Sequence, residues 1–441
     1  MNLTDLSERL AAQLAPLLPA HSSILIGLSG GVDSVVLLHL LHQLAPCFSW
    51  QLSALHVHHG ISPNADTWAE FCAGLCATHD VPLHVEYVDI APLRTHGIEA
   101  AARKLRHAAF ARQAADFVAL AHHTDDQAET LLLQLLRGSG VKGVASMPLL
   151  VKREGSPNLL RPLLHCSRRE ILNYATVQGL SWIEDESNAN ESYPRNFLRH
   201  RMLPLLEEKF PACRDTLARS ARHFAEASEL LDVLAEQDAQ GRFDGATLAA
   251  GHLTELDAAR AKNLLRWFLY QRGAPMPQAA QLDDMLHQLC EARPDATVCV
   301  AYGDWEVHRY QGRVYALHAL GEFDRSLVLP WRGEEEMALP QLGCVLGFVH
   351  RMGEGMSMKK LAAAQVTIRL RSGSETLRPH PNAATRTLKN LLQEHHVPPW
   401  RRERLPLLYC GEELVCVPGV AIAAEYQASA GEAGVLLSLL H

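Results

Sequence analysis

Two short stretches carry the side chains best suited to chemistry. In "ILIGLSGGVDSVVLLHLL", residues 24–41, an apolar strand ends at Leu28 and an apolar helix resumes near Asp33 and Ser34. Between them lie Ser29, Gly30, Gly31 and Val32, and the glycines permit backbone angles that other residues resist. The first turn of the helix offers unpaired amide hydrogens and the positive end of a dipole, which together cradle phosphate oxygens. The loop lacks the lysine of G-x-x-x-x-G-K-[ST], and it is not G-x-G-x-x-G. Ser29 to Ser34 are therefore expected to hold a pyrophosphate through amides and hydroxyls, with Asp33 near a Mg²⁺ that shares the charge. If Ser and Asp only capped a buried helix they would contribute about 1 kcal/mol. The whole hexapeptide between strand and helix favours a nucleotide instead.

The second stretch, "ALAHHTDDQAETLLLQLLRGSG", again reads strand, loop, helix. Asp125 and Asp126 open the helix, where negative charge suits the dipole. Glu129 follows one turn later and shares a face with them. His122 and His123 precede them, so acids and imidazoles crowd the carboxyl end of one strand. A solvated helix start could look the same, but open α/β sheets bind their ligands at that end.

The elements that must position these groups can be read from periodicity. Candidate strands are "SSILIGLS", "QLSALHVHH", "LHVEYVDI" and "DFVALAHH", and candidate helices run over Ser34–Leu44, Asp66–Thr78, Ile98–Ala115 and Asp126–Leu136. Alternation of this kind predicts an α/β fold with a parallel, doubly wound sheet. A long amphipathic pattern over 205–237 reads as one helix despite Pro211, with further helices at 253–272 and 278–291. "TVCVAYGDWEVHRYQGRVYALH" alternates like hairpin strands with a turn at Gln311-Gly312. "PWRGEEEMALPQLG" is the expected linker, and the remainder mixes strands ("QVTIRLRS", "LVCVPGVAI") with a helix near 384–395. The expected domains are 1–205, catalytic; 206–325, mostly helical with a terminal hairpin; and 326–441, a small α+β domain.

Composition narrows the class. Hydrophobic residues make up 48% and charged ones 20%, which is globular, and the net charge of −8 means that a polyanion must be met by local basic patches. Two are visible: Arg195, Arg199 and Arg201 in "YPRNFLRHR", and Arg386, Lys389, Arg401, Arg402 and Arg404 around Trp400. Both could neutralise the phosphates of such a polyanion and would make binding salt-sensitive. The opening "MNLTDLSERLAAQLAPLLPA" has no basic n-region, and no run reaches the length of a membrane span. The ten cysteines form no close framework, so reduced thiols in a cytoplasmic protein are expected. Cys72 and Cys76 share a helix face without C-x-x-C spacing, and His56, His58 and His59 lack an evident further ligand, so no zinc is expected.

Taken in order, "SGGVDS", "GIEAAARKLRHAAF", "HHTDDQAETLLLQLLRGSG", "LLRPLL", "WIEDESNANESYPRNFLRHRMLPLL" and "LKNLLQEHHVPPWRRERLPLLY" resemble the tRNA(Ile)-lysidine synthetases, members of the N-type ATP pyrophosphatases. The likeness covers most of 20–205 and 375–425. It implies the PP-loop fold, shared with the adenine nucleotide alpha hydrolases, with ATP and Mg²⁺ at the loop. The implied partners are free L-lysine and an isoleucine tRNA with a CAU anticodon, bound by the second and third domains, with a homodimer as a further expectation. The implied reaction adenylates C2 of the wobble cytidine, releases pyrophosphate, and lets the lysine side-chain amine displace AMP to give lysidine, which switches decoding from AUG to AUA. At pH 7, freeing an amine whose pKa is near 10.4 costs about 4.6 kcal/mol. Asp126 and Glu129 are the candidates both to attract the ammonium and to take its proton. His122 and His123 could line the adenosine, and the resemblance sets Arg103 and Arg137 near ATP or RNA phosphates. His58, Ser62 and His107 depart from residues frequent in that family.

Sister classes fit less well. tRNA thiolases with this loop need C-x-x-C pairs, which are missing. Amide-forming NAD and GMP synthetases lack the "DESN…RNFLRHR" and "VPPW" blocks. A non-catalytic RNA-binding regulator would have no need to keep the loop together with Asp126 and Glu129.

Overall fold

The computed structural model describes residues 3–92, 98–293, 296, 298–319, 321 and 323–440. Gly97, which opens the "GIEAAARKLRHAAF" motif, and Thr297, which opens the expected hairpin, lie outside the described residues. The chain divides into two compact units, Met1–Val233 and Leu234–His441.

The first unit is built on a six-stranded sheet. Its strands are β1 (Ser23–Gly27), β2 (Gln51–His58), β3 (Leu83–Tyr87), β4 (Phe117–Ala119), β5 (Leu150–Val151) and β6 (Asn158–Leu160). The order is β3-β2-β1-β4-β6-β5, parallel except for the β5–β6 edge pair. The helices α1 (Leu3–Leu14), α2 (Val32–Phe48), α3 (Ala65–Thr78), α4 (Ile98–Ala111) and α5 (Thr124–Leu136) connect or flank these strands. The middle of β1 and all of β4 are buried, which explains their unbroken apolar runs. Ile24 and Ile26 of β1 join Val36, Leu37, Leu40 and Leu41 of α2 in one core. Leu25, Leu55, Phe110 and Val118 form a second cluster with Leu159. Successive residues of β1 thus enter separate clusters, as the pleat requires when both faces are covered.

Strand order reverses at β1 and β4, which are neighbours although widely separated in sequence. In an open parallel sheet this is where connecting loops part and leave a crevice. The two chemical stretches follow these same strands.

Helix ends differ from the sequence reading in instructive ways. The fourth helix stops at Ala111, short of 115, and the chain turns into β4 where the Asp116 carboxylate accepts hydrogen bonds from Ser23 N and Oγ at 2.7 and 2.8 Å. The pattern expected as one helix over 205–237 is two, Leu203–Lys209 and Cys213–Ala239, parted around Pro211, which has no amide to donate and crowds the preceding turn. Likewise the 253–272 pattern breaks at Asp257, whose side chain caps a new helix by accepting from Ala259 N and Arg260 N at 3.0 and 3.1 Å.

In the second unit, β7 (Thr247–Ala249), β8 (Val298–Tyr302), β9 (Trp305–Tyr310) and β10 (Arg313–His318) form an antiparallel sheet in the order β7-β10-β9-β8. The turn at Gln311-Gly312 has φ of 47° and 72°, the left-handed pair of a tight hairpin. Val307 and Val314 pack with Leu264, Phe268 and Met285 of the adjoining helices. A further cluster joins Trp331, Phe348, Ile368, Leu408 and Val435 from two more sheets. "PWRGEEEMALPQLG" belongs to this domain and is not a linker. Trp331 is buried, stacks on Phe348 at 4.6 Å, and donates from Nε1 to Glu334 O at 3.0 Å. Its glycines and charges serve a hairpin that pairs Glu336–Leu339 with Cys344–Gly347. No helix among the described residues is long and apolar enough to cross a membrane.

Candidate functional site

The Ser29–Ser34 loop is held from within and from below. Ser34 Oγ donates to Gly31 O at 2.9 Å, receives Ser29 N at 3.2 Å, and lies 3.1 Å from Ser29 Oγ. The two serines therefore brace the turn and the start of α2. Gly30 sits at φ +87°, and a Cβ there would lie 2.7 Å from Ile183 Cδ1. Ile183 also donates its amide to Gly30 O at 2.9 Å. The "WIEDESN" segment is thus fastened under the loop, a partnership that spacing alone does not reveal.

The first turn of α5 meets this loop through His123, whose ring is only 1% exposed. Its Nε2 lies 3.6 Å from Asp33 Oδ2 and 3.5 Å from Asp126 Oδ2, and its Nδ1 lies 3.8 Å from Asp125 Oδ1. Burial opposes the imidazolium, but Asp126, Asp33 and Asp125 outweigh burial and push its pKa up. His123 links two acidic loop ends, whose carboxylates favour its imidazolium form. Its backbone amide also donates to Asp126 Oδ2 at 3.0 Å. The Asp33 Oδ1 atom is buried and meets no hydrogen-bond donor among the described residues.

Behind Asp126 the carboxylates are already engaged. Arg199 reaches Glu129 from Nε and Nη2 and touches Asp126 Oδ1 at 3.2 Å. Arg195 Nε lies 3.3 Å from Glu129 Oε2, and its Nη2 donates to Thr130 Oγ1 at 2.8 Å. Arg214 stands 3.0 Å from Asp125 Oδ2 and binds Glu207 at 2.7 Å. Burial would raise the pKa of Asp126, but His123, His122, Arg195 and Arg199 together hold it below the usual carboxylate range.

The expected basic patch on "YPRNFLRHR" is therefore split. Arg195 and Arg199 turn inward as counterions, because a carboxylate as buried as Glu129 needs a paired charge. Arg201 stays exposed and pairs with Glu191 at 2.9 Å. A turn of π-helix over Leu198–Met202 carries Arg199 and Arg201.

His122 lies beside His123 but titrates in the opposite direction. Burial together with Arg161, Arg195 and Arg106 drives its pKa down against the pull of Asp126, so the ring stays neutral. Arg161, from "LLRPLL", is buried and donates to Pro148 O at 2.6 Å; burial with Arg103 and Arg153 lowers its pKa to about 10. This gathering of arginines near His122 and His107 was not anticipated, because the residues come from separate motifs. Arg103 is exposed on α4, and Arg137 is exposed at the end of α5.

The C-terminal basic cluster is also divided. Lys389 and Arg401 are exposed. Arg386 pairs with Glu394, and Arg404 donates to Gly321 O while lying over the Phe323 ring. Arg402 donates to Val397 O and Tyr310 OH at 2.7 and 2.8 Å. Trp400 stacks on His308 at 4.1 Å, with Tyr315 edge-on at 5.1 Å, so its indole is largely committed inside this unit.

Comparison with known proteins bears on the chain as a whole. Residues 3–206 match the family model of a PP-loop domain, 248–315 the TilS substrate binding domain, and 366–439 the TilS substrate C-terminal domain. A protein of Nitrosomonas europaea named tRNA(Ile)-lysidine synthase is 42% identical over 441 residues, spanning 99% of this chain and 95% of the relative. Proteins of the same name from an Azoarcus species and from Coxiella burnetii are 42% and 37% identical, spanning 94% and 95% of this chain and 91% and 93% of their own lengths.

Proposed function

The chain belongs to the tRNA(Ile)-lysidine synthase family, and on that premise we infer how its own residues divide the work. It is an ATP-dependent ligase that joins lysine to the wobble cytidine of tRNA(Ile). In our reading the loop Ser29–Ser34 grips the β- and γ-phosphates of ATP with first-turn amides and the two serine hydroxyls. The C2 oxygen of cytidine attacks the α-phosphorus, and pyrophosphate leaves into the loop. The side-chain amine of lysine then attacks C2, and AMP departs with that oxygen.

Asp33 is the residue that would hold Mg²⁺, and its unpartnered buried Oδ1 supports the assignment. The ion would neutralise the leaving pyrophosphate. Asp126 and Glu129 form the proposed lysine pocket and proton acceptor. The low pKa of Asp126 suits it to attract the ammonium, and the pair of carboxylates together is the proposed proton acceptor. Arg199 already occupies oxygens of both acids, so an ammonium competes with a guanidinium there. His122, neutral at pH 7, is read as a wall for the adenosine, with Arg103 and Arg137 toward phosphates. Arg201, Arg386, Lys389, Trp400, Arg401, Arg402 and Arg404 remain the proposed tRNA contacts, Arg201, Lys389 and Arg401 being the most accessible. Three functional parts, 1–205, 206–325 and 326–441, work in a cytoplasmic enzyme, and association into a homodimer is part of the same proposal.

The observation that carries this division of roles is the His123 bridge from Asp33 to Asp126, which puts the phosphate loop and the acidic notch in contact. The test separates the two half-reactions. Asp33→Asn should abolish tRNA-dependent pyrophosphate release, whereas Glu129→Gln should leave release measurable while lysine transfer falls by about 10²-fold or more. Equal loss of both half-reactions in Glu129→Gln would refute the assignment of Glu129 to lysine.

A further inference from the structure

One face of the β8–β10 meander carries a group of side chains to which the proposed reaction assigns no role. Alternation along the strands turns Val298, Val300, Val307 and Arg309 to one side and Cys299, Glu306 and His308 to the other. Val298, Val300 and Val307 join the apolar core, and Arg309 donates to Leu289 O at 2.6 Å on that side. Cys299 and His308 are direct cross-strand partners, and Glu306 sits two residues before His308 on the same face. Such opposed pairs have side chains about 4.5–5.5 Å apart at Cβ, within reach of a shared ligand.

The donor atoms converge. His308 Nε2 lies 2.8 Å from Glu306 Oε2 and 3.8 Å from Cys299 Sγ, and all three donors fall within 4.8 Å of one another. Bonds of about 2.0–2.1 Å to nitrogen and oxygen and about 2.3 Å to sulfur, at tetrahedral angles, need ligand separations of about 3.3–3.6 Å. The observed spacings bracket that range, so small side-chain rotations are enough. Burial is graded: His308 is buried, Glu306 half-buried and Cys299 exposed, which leaves a path for an ion from solvent. The imidazole is also pre-set, because Trp400 stacks on its face at 4.1 Å while Nε2 points toward the other two donors.

We propose that Cys299, Glu306 and His308 form a three-residue site for a zinc-class divalent cation. A thiol and an imidazole beside one carboxylate suit Zn²⁺ and disfavour Mg²⁺ or Ca²⁺, which prefer oxygen alone. Binding expels the Cys299 thiol proton and leaves a fourth position for water. An ion on Nε2 fixes the ring against which Trp400 packs, so the site would stiffen the "VPPW" segment.

The test uses the full chain, stripped with chelator and then titrated with Co²⁺ and Zn²⁺. One Co²⁺ per chain should bind and give a near-ultraviolet thiolate-to-cobalt band that added Zn²⁺ abolishes. Cys299→Ser keeps the other nine cysteines and should lose the band. Glu306→Gln, an isosteric change, should weaken Zn²⁺ binding by more than about tenfold, the loss that even an outer partner produces. Circular dichroism checks that both variants fold. No stoichiometric ion in the parent, an unchanged band in Cys299→Ser, or unchanged Zn²⁺ affinity in both variants overturns the proposal.

Discussion

Arg199 grips Glu129 with two hydrogen bonds, Nε to Oε1 at 2.6 Å and Nη2 to Oε2 at 2.9 Å. The carboxylate is fully buried and the arginine side chain 19% exposed, so the pair lies at the floor of the acidic notch. Removing one partner from a buried pair leaves an uncompensated charge and costs about 3–5 kcal/mol. Arg199→Ala leaves Arg195 3.3 Å from Glu129, so stability should fall by less than that, about 1–3 kcal/mol in urea denaturation, and Arg199→Ala with Glu129→Gln should recover part of it. A single-variant loss below about 1 kcal/mol would show that Arg195 alone compensates the Glu129 carboxylate.

Gly30 makes a separate prediction about the phosphate loop. Its φ of +87° and the 2.7 Å approach of Ile183 Cδ1 both resist a side chain. Strain of about 1–3 kcal/mol at such a position should weaken ATP binding about tenfold or more in Gly30→Ala, read by equilibrium binding. Adding Ile183→Ala relieves the contact but not the backbone angle, so recovery should be partial. Unchanged binding in Gly30→Ala would mean that the nucleotide does not depend on this turn.

Stability should fall on mild acidification. Burial, with Arg106 beside one ring and Arg103 and Arg106 beside the other, lowers the pKa values of His59 and His107 from 6.5 to about 4. For each, the unfolded chain binds the proton first as pH falls. The stabilising contribution is thus complete above 6.5 and drains away between 6.5 and about 4. His123, held above 6.5, acts oppositely: its contribution is present below 6.5 and is lost as pH rises through the higher value. The urea midpoint should drop between pH 7 and pH 5, and His107→Gln should shrink that drop. An equal drop in the variant would rule His107 out as a source.

The C-terminal cations should separate into two behaviours. Lys389 and Arg401 are exposed, and removing either should weaken tRNA binding and reduce the salt slope by about one. Arg402 is tied to Val397 O and Tyr310 OH, so Arg402→Ala should lower thermal stability as well as binding. A normal melting profile for Arg402→Ala would remove that distinction.

Much of the catalytic half was legible because its strands are unbroken apolar runs bounded by glycine, serine and acids. β1, β2, β3 and β4 all fall within the stretches expected from periodicity. The β5–β6 edge was not visible, because Leu150–Val151 and Asn158–Leu160 are brief runs on either side of Lys152, Arg153, Glu154, Gly155 and Pro157, without the longer apolar stretch that contains β4. The single long helix was over-read because amphipathicity continues across Pro211 while backbone hydrogen bonding does not. Charge partners were the harder loss. "YPRNFLRHR" reads as a basic surface, yet Arg199 meets Glu129 and Asp126 from 70 and 73 residues away. Only the folded chain reveals that two of its arginines serve buried acids. The role of Trp331 was misread for a related reason: its neighbours are linker-like in composition, but its ring is a core residue.

The most direct measurement is transfer of radiolabelled lysine by the purified chain with ATP and Mg²⁺. Label should enter isoleucine tRNA bearing a CAU anticodon, with AMP and pyrophosphate formed in equal amounts, and should stay out of methionine tRNAs. Label reaching methionine tRNAs equally, or ATP cleaved with no lysine in any tRNA, would contradict the account.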